Sequence, residues 1–487
     1  MPADLHPTLR RVLLARGLGH PERLDLGLSR MAVPSTLSGI DTAAQLLAEA
    51  VTGHQRVLVV GDFDADGATG TALAVRGLRA LGAENVDFRV PNRFEFGYGL
   101  TPGLVETLAE DPPDLLVTVD SGIACLAGVA RARELGTRVI VTDHHLPGEK
   151  LPAANAIVNP NLPGDEFPSK ALAGVGVVFY LLGAVRGVLR EAGWFHGPRK
   201  EPNLAHYLDL VALGTVADVV PLDHNNRILV RQGLDRIRAG VAAPGVLALL
   251  RAGKRDYRHV VASDLGFAAG PRLNAAGRLE DMSVGIRCLL SEDPEEALEI
   301  AEELDTLNRQ RKTLQDTMQN EAAAQVQDLL ESLGDRLPLS LCLYDDRWQQ
   351  GIVGRVAFPM SAHDQGDEAF TLQTLRGIVR HVDRLRRQTP GRSLGGECFS
   401  DSAAVAGLRP VQDRQGRGRF GFRVGHRLST PGGQPGQIAA DPLQLRCVEP
   451  GHSRLDAGQG FRRNRGNSEW LGGFVHDSAW LVAGIRG

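Results

Sequence analysis

The stretch Val57–Thr69, VLVVGDFDADGAT, decides how the chain is read. Val57, Leu58, Val59 and Val60 form an apolar run with no polar alternation, the pattern of a strand buried on both faces of a sheet. Asp62, Asp64 and Asp66 follow at alternate positions, and Gly67 then permits a turn into a helix expected near Thr69. Carboxylates packed this closely repel one another unless a cation sits among them. Taken alone, the stretch is read equally well as a solvated acidic turn. Two later segments break the tie. Leu115–Val119 ends at Asp120-Ser121-Gly122, and Val139–Thr142 ends at Asp143-His144-His145. Three buried strands that each finish on metal-ligand residues place those ligands along the carboxyl edge of one parallel sheet, where such sheets bind their ligands.

Between these strands the pattern supplies two crossover helices, Ala72–Leu81 and Ile123–Leu135, so a doubly wound α/β domain is expected. The chain has 487 residues, enough for two or three domains. Its five cysteines show no CxxC spacing, which argues for a reducing cytoplasm and against a zinc site or disulfide framework. No signal peptide is read at the start, and no apolar run reaches the length of a membrane span. The net charge of −4 is unevenly spread: residues 361–487 carry 18 Arg and no Lys against 12 acids, so the excess of acid lies before them.

Outward from the sheet, residues 1–50 read as helical, with Leu9, Val12 and Leu13, then Ala43, Leu46 and Leu47, at helical spacing. The loop VPNRFEFGYGLTP sets Arg93 beside Phe94, Phe96 and Tyr98, residue types that hold phosphate and stack bases; a packed loop with one solvated Arg is the plainer reading. Asn159-Pro160-Asn161 precedes a small-residue helix, Ala171–Val188. Asp218 is a lone carboxylate in the apolar run Leu208–Val220, costly to bury unless paired or metal-bound, so it is taken as a fourth ligand position in preference to a helix cap. In DLGFAAGPRLNAAGRL (264–279), Gly270, Gly277 and the Ala pairs permit close backbone approach while Arg272, Asn274 and Arg278 offer donors, and a lined cleft is preferred to a solvated basic loop. Ser291 is expected to cap a long connecting helix running to about Leu330, and Leu339–Tyr344 to restart a strand before Trp348 and Gly351-Ile352-Val353-Gly354.

In this order, GDFDADG, VDSG, DHH, the Asp of TVADVVPL and GPRLNAAGRL resemble the DHH phosphoesterase superfamily, and within it the RecJ family of single-stranded-DNA-specific exonucleases. The similarity runs from about Thr8 to Gly354, roughly seven-tenths of the chain. It implies two divalent ions, Mn or Mg, held by Asp62, Asp64, Asp120, His144 and Asp218, with Asp120 bridging them. His145 would lie against the scissile phosphate, Asp66 and Asp143 would sit just outside the ligands, and Arg93, Arg272, Asn274 and Arg278 would hold the DNA backbone. The activity implied is metal-dependent, 5′-to-3′ hydrolysis of single-stranded DNA in recombination and repair. A cytoplasmic monomer is implied, working with a single-stranded-DNA-binding protein and a helicase and not with a membrane.

The domain boundaries that follow are a helical segment at 1–50, the DHH catalytic domain at 51–290, a connecting helix at 291–333 and the start of a DHH-associated domain at 334–360. Beyond Gly354 the sequence departs from the family, with Gln349 where a His is usual and no Gly-Gly-His signature. Residues 361–487, with 21 Gly and such runs as RQGRGRF, are expected to be an aberrant Arg/Gly-rich tail: an out-of-frame or disordered stretch that leaves a truncated second α/β domain. Two alternatives stand beside the exonuclease. One is a DHH phosphodiesterase acting on short oligonucleotides or cyclic dinucleotides; the other is a non-catalytic DNA-binding accessory protein.

Overall fold

A computed structural model describes residues 5–16, 18–333, 340–354, 356, 370–373 and 480–485. It divides into two units, Met1–Gln310 and Arg311–Gly487.

The first unit opens with helix α1 (Pro7–Ala15), which buries none of its residues, so Leu9 and Val12 stay exposed. Helix α2 (Ile40–Thr52) turns Ala43 and Leu47 into the core, as their spacing predicts. Strand β1 (Val57–Gly61) is buried at all five positions. Helix α3 (Ala65–Leu81) starts earlier than Gly67 suggested, because the Asp64 carboxylate accepts the N–H groups of Asp66 and Gly67 and caps it. Gly67 is therefore a residue of the helix and not a turn. Its lack of a side chain serves close approach, since a Cβ there would lie 2.6 Å from the Asp62 carbonyl oxygen.

Strand β2 (Val86–Arg89), helix α4 (Pro102–Glu106), strand β3 (Leu115–Val119), helix α5 (Leu126–Glu134), strand β4 (Arg138–Thr142) and strand β5 (Ala156–Val158) complete the sheet region. All five strands are parallel, in the order β2-β1-β3-β4-β5. Val57, Val59, Leu115 and Val117 face a core shared with α2 and α3, while Leu58, Val60, Leu116, Val139 and Val141 pack on Leu104, Val105, Val129 and Ala132. The four-residue apolar run of β1 is thus explained: both of its faces are covered.

The register positions the site. Gly61 pairs with Val119, and Val119 with Thr142, so β1, β3 and β4 end at one level. The next residues, Asp62, Asp120 and Asp143, leave the sheet side by side. The chain reverses sides between β1 and β3, which makes this the switch-point crevice of the sheet.

Beyond the sheet come α6 (Gly174–Glu191), α7 (Leu208–Ala217), α8 (His224–Arg238), α9 (Pro244–Ala252), the short α10 (Ala262–Asp264), α11 (Gly270–Leu279) and α12 (Ser283–Leu290). The stretch 264–279 is helical throughout: a π-helical turn at Leu265–Ala269 leads into α11, whose first turn accommodates Pro271. Helix α13 (Pro294–Leu333) runs across the division between the units. Ser291 does not cap it directly; its Oγ donates to Glu296 while Asp293 accepts the Glu295 N–H.

In the second unit, β6 (Ser340–Tyr344), β7 (Phe370–Gln373) and β8 (Trp480–Ile485) form an antiparallel sheet in the order β6-β8-β7. Trp348 is buried and donates from Nε1 to Glu321 Oε2 at 2.8 Å. Apart from β7 and β8, the stretch 361–487 lies outside the described residues, and with it the reading of that stretch as out of frame.

Candidate metal centre

Three turns at the sheet edge converge. Asp62, one residue past β1, is buried and accepts the Phe63 N–H at 2.7 Å. Asp64 spends Oδ1 on the α3 cap, which leaves Oδ2 outside that cap. Asp120 follows β3 in the left-handed region at φ 58°, a conformation Asp tolerates better than most residues. His144 follows β4, and Asp218 closes the carboxyl end of α7. Ligand atoms of Asp62, Asp64 and Asp120 lie within 4.8 Å of one another, as do those of Asp66, His144 and Asp218, and those of Asp120, His144 and His145. Asp120 thus belongs to two of the three groups.

The electrostatics are those of a cage of anions. Burial, reinforced by the Asp64 charge, raises Asp62 to about 8 and Asp66 to about 7. Burial and the neighbouring Asp66 and Asp64 raise Asp120 well above the carboxylate range, and burial with Asp66 raises Asp218 to about 9. His144 goes the other way, to about 4, because burial and the adjacent His145 disfavour its cation. Its Nε2 faces Asp120 Oδ1 at 3.1 Å and Asp218 Oδ2 at 3.6 Å, yet neither it nor Asp120 Oδ1 has a hydrogen-bond partner. Such buried, unsatisfied acceptors demand a partner. A neutral imidazole among carboxylates is the donor set of a divalent cation such as manganese. The residues present fit such an ion.

Asp66 and Asp143 are differently employed. Both Asp66 oxygens accept N–H bonds from the start of α6, at 2.6 Å from Gly174 and 3.0 Å from Val175, where the helix dipole favours an anion. Asp143 accepts from Ile123 N, His144 N, His145 N and His145 Nδ1 at 2.7–3.0 Å. Burial would raise Asp143, but its bonds to His145 prevail and hold it below the usual range. Burial likewise opposes a charged His145, and the Asp143 bond outweighs it, raising His145 to about 9. The His145 side chain is 49 % exposed, against 11 % for His144, so the two adjacent rings serve different sides of the site.

The residues expected to grip substrate separate in the structure. Arg93 lies over the Phe63 ring at 3.9 Å, and Tyr98 meets the same ring edge-on at 5.7 Å. Phe63 was not singled out in the sequence, because a Phe between two aspartates carries no signal of its own. Arg272 is drawn inward: it pairs with Asp305 at 2.6 Å and donates to the Ala268 and Ala252 carbonyls. Asn274 Oδ1 accepts the Ala65 N–H at 2.9 Å, tying α11 to the metal loop. Gly277 allows this approach, since a Cβ there would meet the Phe63 carbonyl oxygen. With both ends of the Arg272–Asp305 pair mostly buried and Asp305 keeping Arg309 at 2.7 Å as a second partner, Arg272→Ala should lower unfolding stability by about 2 kcal/mol, the scale of a lost hydrogen bond to a charged group. Urea denaturation measures this; a variant with unchanged stability would return Arg272 to the substrate-facing set.

Residues 56–215 match the DHH family, N-terminal domain. The sheet and its aligned strand-end aspartates define that class of protein. A single-stranded-DNA-specific exonuclease RecJ of Dickeya dadantii is 46% identical over 482 residues, covering 95% of this chain and 83% of the relative. The RecJ of Salmonella typhimurium is 55% identical over 358 residues, and there the match covers 73% of this chain but 62% of the relative. A crystal structure of exonuclease RecJ bound to manganese superposes with a TM-score of 0.58 at 37% identity, covering 72% of this chain and 85% of that one. The chain belongs to the RecJ family.

Proposed function

We propose that this protein is a single-stranded-DNA-specific exonuclease that hydrolyses phosphodiester bonds 5′ to 3′ with two divalent ions, in DNA recombination and repair. The observation that carries the reading is the facing of Asp120 Oδ1 and His144 Nε2, two buried atoms 3.1 Å apart with no hydrogen-bond partner, at the level where three strands end. Asp62, Asp64 and Asp120 would hold one ion, and Asp120, His144 and Asp218 the other. When bound, such ions polarise a phosphoryl oxygen and lower the pKa of water.

The chain's own groups supply the rest. His145, with Nδ1 held by Asp143, is an imidazolium at neutral pH whose Nε2–H remains to donate to a phosphate oxygen. Asp143 fixes that ring and its charge. Arg93, stacked on the buried Phe63 beside Tyr98, offers a guanidinium suited to a phosphate. Arg278 of α11 extends the same grip along the backbone, while Asn274 steadies the loop that carries Asp62 and Asp64. None of these groups reads base edges, so the strand would be taken without sequence preference.

The test is degradation of a 3′-labelled single strand with Mn²⁺, beside the same strand in duplex. Mononucleotides released progressively from the 5′ end of the single strand alone are expected; equal attack on duplex would defeat the substrate assignment. Arg278→Ala should weaken binding to any sequence and flatten its salt dependence by about one unit of slope, as for one lost phosphate contact. An unaltered slope would leave Arg278 outside the DNA path.

A further inference from the structure

Asn159-Pro160-Asn161 stands out in the sequence, yet none of its residues enters the chemistry described so far. Strand β5 ends at Val158, whose carbonyl accepts the Asp143 N–H at 3.1 Å, so the motif leaves the sheet beside the His144-His145 turn. Asn159 is fully buried. Its Nδ2 donates to the His145 carbonyl at 2.9 Å, and its Oδ1 accepts the Asn161 N–H at 2.8 Å. Asn161 Nδ2 in turn donates to the His144 carbonyl at 2.6 Å and to the Lys170 carbonyl at 3.2 Å. Lys170 Nζ closes the turn by donating to the Pro160 carbonyl at 2.7 Å.

All four backbone polar groups of the His144-His145 dipeptide are then accounted for. Their two N–H groups go to Asp143, and their two carbonyls go to Asn161 and Asn159. We propose that Asn159 and Asn161 are positioning residues for hydrolysis: a two-point amide clamp that fixes the His144-His145 backbone so that one ring faces the carboxylate cage and the other faces substrate. The physical need is specific. In an unrestrained turn, rotation about φ and ψ of two adjacent residues re-aims both of their side chains. Here the inner ring must meet Asp120 and Asp218 while the outer ring keeps Nδ1 on Asp143. Carbonyl anchors prevent that rotation, and amide side chains donate to them without adding charge to a site already crowded with anions. The terminal amide of Asn is short enough to reach from the neighbouring strand end, and the bond between Asn159 Oδ1 and Asn161 N pre-forms the turn.

The proposal rests on the nuclease reading only for its activity measurements; metal binding tests it separately. In the full-length protein, Asn161→Ala should weaken Mn²⁺ binding by calorimetry about 10- to 100-fold, the scale for groups that orient metal ligands. Turnover of single-stranded DNA should fall in kcat with KM unchanged, because both Asn161 Nδ2 bonds go to backbone carbonyls. Asn161→Asp, which keeps the shape but removes the amide donor, should show the same loss. Unchanged Mn²⁺ affinity in both variants would overturn the clamp, and so would a lower melting temperature with unchanged metal affinity. If neither variant folds, the motif is structural alone and the proposal also fails. If the parent protein binds Mn²⁺ but leaves DNA intact, the nuclease reading falls while the calorimetric comparison still decides the clamp.

Discussion

Asp120→Ala should abolish hydrolysis of single-stranded DNA, a loss on the order of 10³-fold or more, the scale reached when a preorganised electrostatic element is removed. Asp120 belongs to two of the three ligand groups, so its loss disables both at once. On the proposed two-ion reading, each ion would lose one carboxylate ligand. Asp120→Asn is the sharper variant, because Asn also tolerates the left-handed φ of 58° and keeps the shape. In the metal-free protein it removes one of several repelling carboxylates, so its melting temperature should rise while its activity disappears. That opposition separates a functional loss from a folding defect. Wild-type turnover by either variant with Mn²⁺ supplied would show the site to be misassigned.

The second large effect is on stability with pH. In the metal-free protein, burial and mutual repulsion raise Asp62 to about 8, Asp66 to about 7 and Asp218 to about 9. The unfolded chain loses the same protons near pH 4. Between pH 7 and 9 the folded state therefore holds more protons than the unfolded state, and stability falls as pH rises. His145, raised to about 9, acts in the same direction; His144, lowered to about 4, acts only below this window. With chelator present, the melting temperature should drop from pH 7 to pH 9. Added Mn²⁺ replaces those protons and should reverse the trend, stabilising by about 4 kcal/mol at a thousandfold excess over Kd. The stabilisation should grow with pH. A manganese effect independent of pH over this range would mean that the ion binds away from these carboxylates.

The sheet was legible because burial on both faces leaves an unbroken apolar run, and because Asp62, Asp120 and Asp143 each follow such a run directly. Strands β2 and β5 were not legible: one is a half-exposed edge of four residues and the other has three, too few to show a period. The close backbone approach that the glycines of 264–279 permit was legible, and Gly277 makes it against Phe63; that the stretch is helical was not read from its sequence. Arg272 illustrates a different limit. Sequence shows that a guanidinium is present and not that Asp305, thirty-three residues on, will claim it. The asparagines of residues 159–161 were visible as a motif, but their carbonyl partners follow only from the side-by-side ends of β4 and β5.

The shared register of β1, β3 and β4 constrains how such a protein can change over time. Adding or deleting one residue within β3 would move Asp120 by about 3.3 Å along the strand and turn it to the opposite face. No side-chain substitution can compensate for a shift of that size. Changes of length must therefore accumulate at the amino ends of the strands, in turns such as Leu108–Asp114 ahead of β3, where the connection can lengthen without disturbing the row of aspartates. The two edges of one sheet thus evolve under different rules: one is free to vary in length, and the other is held in step by its neighbours.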